Sequence, residues 1–90
     1  MTEKQFRTLC IAEVKDYALR HLDKTDDNVS FDIYVVWQVR ALQNYKALLS
    51  TSLLDGMYYE CTYNGDKKEM YVDAYKKFEN YCVHCDTVEE

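Results

Sequence analysis

The chain has no proline and only two glycines in 90 residues. That excludes collagen-like repeats and the Gly- or Pro-rich compositions of low-complexity segments. Long apolar runs are missing too. None approaches the roughly 18 residues that a membrane helix needs, and Met1–Gln5 leads into no signal-peptide-like apolar stretch. Basic residues are in short supply: 11 Lys and Arg against 16 Asp and Glu give a net charge of −5. The tight basic clusters, Lys67–Lys68 and Lys76–Lys77, are flanked by Asp66, Glu69, Asp73 and Glu79. Proteins that bind nucleic acid by neutralising phosphates present a basic stripe. The dispersion here argues against direct DNA or RNA binding and against an anionic membrane surface, and it favours a basic protein partner. There is no Ser–His–Asp pattern, no phosphate-cradling glycine loop and no HExxH. The expectation is a non-enzyme without a cofactor.

What is present reads as one small globular domain. A hydrophobic share of 48% supplies one core, and a charged share of 30% supplies its surface. Cys10, Cys61, Cys82 and Cys85 could form two disulfides only in an oxidising compartment. Without a signal segment they read as reduced cysteines of a cytoplasmic protein. Cys10 and Cys61 fall on apolar faces, where a free cysteine behaves as a small hydrophobe.

Thr2 can cap a helix over 3–22, in which Phe6, Leu9, Cys10, Val14, Tyr17, Ala18 and Leu22 recur at steps of three and four. Residues 23–32 form a polar, acidic loop carrying Asp23, Asp26, Asp27 and Asp32. From Ile33 the period becomes two, and β-branched and aromatic residues predict strands over about 33–42, 46–54, 57–63 and 67–73. Asp55-Gly56 and Asn64-Gly65 match two-residue hairpin turns. Asn44-Tyr45 is a poorer candidate for the first turn, because positive φ is costly for tyrosine. Residues 73–85 fit either an amphipathic helix or a continuation of the fourth strand, and 86–90 an acidic tail. The predicted fold is α+β, an N-terminal amphipathic helix packed on a four-stranded antiparallel meander.

These turns fix register, and register fixes faces. One face collects Val35, Trp37, Leu48, Leu54, Tyr59 and Cys61 beneath the helix. The other is mixed, with Tyr34, Val36, Leu53, Tyr58 and Tyr71 beside Glu60 and Glu69. In this register Glu60 and Glu69 lie directly opposite each other, a like-charge pair that invites a reason. The candidate partner-binding residues are therefore Glu60, Glu69, Tyr58 and Tyr71, with Asp23, Asp26, Asp27 and Asp32 as a second contact. The same mixed face could instead accept a second copy of the chain. Its tyrosines could also stack bases of single-stranded nucleic acid, a reading the adjoining carboxylates oppose. Cys82, His84 and Cys85 form a compact set of soft ligands, but a structural zinc site wants four, so no metal is assigned and a zinc-stabilised scaffold is a lesser alternative.

Several stretches carry a resemblance. Tyr34-Val35-Val36-Trp37, Lys46-Ala47-Leu48-Leu49-Ser50-Thr51 and Asp55-Gly56-Met57-Tyr58-Tyr59-Glu60 are three of them. Thr62-Tyr63-Asn64-Gly65-Asp66-Lys67 and Tyr71-Val72-Asp73-Ala74-Tyr75-Lys76-Lys77 are two more. Together they resemble a family of small uncharacterised proteins encoded by phages and prophages of Gram-positive bacteria. The resemblance implies a bacterial cytoplasm as the setting and transfers no functional residues. In that setting the expected role is binding and inhibiting a host protein with a basic surface. A nucleic-acid-handling or defence enzyme is a plausible target, which would make the chain anti-CRISPR-like.

Overall fold

The computed structural model describes residues 1–22 and 30–86. One helix, α1 (Glu3–His21), is followed by four strands: β1 (Ile33–Ala41), β2 (Asn44–Thr51), β3 (Met57–Asn64) and β4 (Glu69–Lys76). The strands form one antiparallel sheet in the order β1-β2-β3-β4. This is the α+β meander that the sequence predicts. No helix among the described residues is long and apolar enough to cross a membrane.

Helix α1 starts where the sequence places it. The Thr2 hydroxyl accepts from the Gln5 backbone N–H at 3.1 Å, and the Gln5 side chain accepts from the Thr2 N–H at 2.8 Å. Two of the donors orphaned at a helix start are thereby satisfied. Phe6, Cys10, Val14 and Ala18, spaced one turn apart, form its buried stripe. They pack on Tyr45, Ala47 and Leu49 of β2 and on Tyr59 and Cys61 of β3. Phe6 stacks on Tyr45 with ring centroids 5.2 Å apart, and Tyr17 meets Tyr59 edge-on at 5.4 Å. The helix lies over β1, β2 and β3. On β4, Val72 keeps 36% of its surface exposed.

The turns differ from the expected ones, with consequences for register. β1 and β2 join through Leu42-Gln43, with Ala41 opposite Asn44, so Asn44-Tyr45 is not the turn. Leu42 takes φ +57°. Tyr45 is thereby freed for the core, where its hydroxyl donates to the Met1 carbonyl at 2.8 Å. β2 stops at Thr51, and residues 52–56 make a longer connection in which Gly56 has φ +68°. The β3–β4 loop is likewise longer than two residues: Asn64 pairs with Glu69, and the Asn64 side chain accepts from the Asp66 and Lys67 N–H groups.

These differences correct the faces. In the β2–β3 ladder Leu49 opposes Tyr59 and Ser50 opposes Tyr58, a displacement of three residues from the expected pairing. An odd displacement turns a strand over. Leu49, Ala47 and Tyr45 therefore face the helix, Leu48 faces away, and Leu54 is fully exposed in the connection. The β3–β4 ladder is displaced by four residues, an even number, so Met70 and Val72 keep the side that the sequence gives them. In β1 the register shifts between Val35 and Trp37, a β-bulge. Before it Ile33 and Val35 face the helix; after it Gln38 and Arg40 do, and Gln38 donates to the Glu3 carbonyl of α1 at 3.1 Å. Trp37, expected in the core, lies on the far face.

The segment 73–85 resolves in favour of strand for its first part. β4 runs to Lys76, and residues 77–86 continue as an exposed arm without helix or strand. The last ladder bond is Lys77 N–H to the Gly56 carbonyl at 2.7 Å.

Candidate interaction surface

Among the described residues no helix or strand packs on the face of the sheet turned away from α1, and the pairings arrange it in rows across the strands. Tyr34, Ser50, Tyr58 and Tyr75 form the first row; Trp37, Leu48, Glu60 and Asp73 the second. Val39, Lys46, Thr62 and Tyr71 form the third, and Ala41, Asn44, Asn64 and Glu69 the last. Tyr34, Trp37, Val39, Tyr71 and Tyr75 each expose between 41% and 55% of their surface. With roughly 100 Å² showing on each, the four aromatics expose about 400 Å² in all, divided between the outer strands β1 and β4. Beside the first row, residues 52–56 frame a depression of about 330 Å³ lined by Tyr34, Leu53, Leu54, Tyr58 and Lys77.

The four principal candidates, Tyr58, Glu60, Glu69 and Tyr71, do share this face. Glu60 and Glu69, however, are not opposite each other. Glu60 faces Asp73, and Glu69 faces Asn64. The real like-charge pair, Glu60–Asp73, is relieved from the other side by Lys46, whose Nζ lies 3.1 Å from Glu60 Oε1. Glu69 accepts a 2.7 Å hydrogen bond from the Tyr71 hydroxyl, which holds that phenol above its ordinary pKa. Lys77 places its ammonium 5.9 Å from the centre of the Tyr58 ring. Three carboxylates thus share the face with two ammonium groups, so its dominant character is aromatic rather than acidic.

Asp32 sits at the foot of β1, exposed, its N–H bonded to the Ser52 hydroxyl at 2.8 Å. Asp23, Asp26 and Asp27 lie outside the described residues. Cys82, His84 and Cys85 are on the exposed arm, and the Cys85 thiol approaches the Val83 carbonyl at 3.6 Å. Among the described residues no three His, Cys, Asp or Glu side chains converge as metal ligands would. Cys10 and Cys61 are wholly buried, and the hydrogen bond between them together with burial pushes the Cys10 thiol well above its ordinary pKa. His21 is exposed at the helix end, where its ring stacks on Tyr17 at 4.0 Å.

Trp37, Val39 and Tyr75 belong to this face without having been assigned to it from sequence. The available signal was the succession Val35-Val36-Trp37, three large apolar residues in a row, in which strict alternation has no unique phase.

The chain belongs to a family of unknown function, DUF6275, whose model matches residues 7–85. No curated protein and no solved structure matches it.

Proposed function

We propose that this member of the family is a non-enzymatic binding protein that docks a protein partner on the bare face of its sheet. The observation that carries the reading is the set of half-exposed aromatics on that face, Tyr34 and Trp37 on β1 and Tyr71 and Tyr75 on β4. Tryptophan and tyrosine are the residues most enriched at interface hot spots, where a large rigid surface is buried at little entropic cost. Glu60, Glu69 and Asp73 supply a polar frame that selects basic groups on the partner and steers the encounter. In the setting implied by the likeness to phage and prophage proteins, that partner is a host protein with a basic surface, such as a nucleic-acid-handling or defence enzyme, and occupation inhibits it.

The test is capture by the immobilised protein from a bacterial lysate, wild type against Trp37→Glu and Tyr71→Glu. Both side chains stand partly in solvent, so thermal unfolding should stay near wild type while capture falls at least about tenfold. Equal capture by all three proteins would remove this face from the reading. Retardation of a single-stranded oligonucleotide at low salt, lost in the same variants, would replace the protein partner with nucleic acid.

A further inference from the structure

The two edges of the sheet are treated differently. β1 carries its bulge between Val35 and Trp37, a common device against edge-to-edge pairing. β4 pairs with β3 without interruption from Glu69 to Lys76, and its outer side has no such break. Because the Lys77 N–H points to the Gly56 carbonyl, alternation along the strand turns the backbone groups of Met70, Val72, Ala74 and Lys76 outward. Beyond Lys76 the arm 77–86 leaves the sheet with Phe78 100%, Tyr81 75% and Val83 67% exposed. An apolar arm and a regular edge that no described strand pairs with therefore lie next to each other on one chain.

We infer that the occupant of this edge is a second copy of the chain, the two β4 strands and their arms pairing antiparallel about a two-fold axis at Phe78. Three features of the chain select that register. Lys77 comes opposite the partner's Glu79, twice over, which places the basic cluster at the strand end against an acid. Tyr75 comes opposite the partner's Tyr81, which extends the first aromatic row of the bare face, and Phe78 meets its own copy on the other face. The arm also has the right reach. At about 3.3 Å per residue, ten residues span roughly 33 Å, enough to run the length of an eight-residue strand. Self-complementarity of this kind closes after two chains.

The area is sufficient. Phe78 and Tyr81 on two arms bring roughly 600–1,000 Å² at about 150–250 Å² per aromatic, before the surface they cover on the partner is added. The total falls in the range of stable interfaces, about 1,200–2,000 Å². This assembly uses the edge and the arm, so it stands independently of the docking role proposed for the bare face.

Sedimentation equilibrium of the full chain tests it. The wild type should show twice the 10.7 kDa chain mass. Phe78→Asp, which sets two carboxylates against each other on the axis, should return the single-chain mass with an unchanged circular dichroism spectrum, because Phe78 is fully exposed in the protomer. Lys77→Glu and Glu79→Lys should each weaken association about tenfold, and the combined swap should recover it. A wild type that stays at single-chain mass up to about 100 µM, where such an interface should be occupied, overturns the inference. A dimer indifferent to Phe78→Asp, or a charge swap that recovers nothing, overturns it as well. Trp37→Glu should leave the mass unchanged, which separates this result from the capture experiment.

Discussion

The two glycines look alike in sequence, each following Asp or Asn in a turn, yet they serve different physical needs. Gly56 adopts φ +68°, and a β-carbon there would find nothing nearer than 3.8 Å. Gly65 has no such φ; a β-carbon there would lie 2.2 Å from the Gln43 carbonyl oxygen and 2.7 Å from its Cγ. The tips of the first and third hairpins touch at this point. Gly65 N–H donates to Asn44 Oδ1 at 3.0 Å, and Gln43 Nε2 donates to Asp66 Oδ1 at 2.8 Å. Gly65→Ala must push the tips apart by about 1 Å to restore ordinary contact. The strain of overpacking and the weakening of these two bonds together should cost about 2–4 kcal/mol. A domain of this size has only about 5–13 kcal/mol in hand. Gly56→Ala meets only backbone strain, about 1 kcal/mol. Asparagine, which tolerates the left-handed region, should recover most of the loss at position 56 and none at 65. Urea titration followed by circular dichroism reads both. The midpoint should fall by about 2 M for Gly65→Ala and by well under half of that for Gly56→Ala. A Gly65→Ala protein within about 0.5 kcal/mol of wild type, or one rescued by asparagine, would refute the close-approach reasoning.

Two further predictions concern strain and pH. Leu42 holds φ +57° with 84% of its surface exposed, so Leu42→Asn should relieve backbone strain without losing packing. A gain of about 0.5–1 kcal/mol, or roughly 3–6 °C in calorimetric Tm, is expected; a lower Tm would show that the side chain packs on something. Burial, more than the nearby Asp55 carboxylate, raises the Tyr59 phenol above its ordinary value of 10.0. The folded state then holds this proton while the unfolded chain releases it. Its contribution to stability is complete below about pH 10 and is lost as pH rises through the folded pKa. Chemical denaturation from pH 8 to 11 should show a steeper alkaline loss in the wild type than in Tyr59→Phe. Parallel profiles would contradict the assignment.

Much of the fold is written in local chemistry. The one-turn spacing of Phe6, Cys10, Val14 and Ala18 and the Thr2 cap specify α1, and runs rich in β-branched and aromatic residues specify four strands in meander order. Tyr58, Glu60, Glu69 and Tyr71 share a face because each lies at even spacing within its strand and the β3–β4 displacement is even. Local pattern could not choose the phase of β2. In Lys46-Ala47-Leu48-Leu49-Ser50-Thr51 two adjacent leucines satisfy either phase, and only α1 packing on Ala47 and Leu49 selects one. Nor could it place the β1 bulge, since Val35-Val36-Trp37 is apolar in both phases, and that bulge carries Trp37 out to the bare face. Propensity and period act over a few residues and were legible from the start; turn length and register are settled by which side chains find volume under the helix, a competition that exists only once the sheet and helix meet.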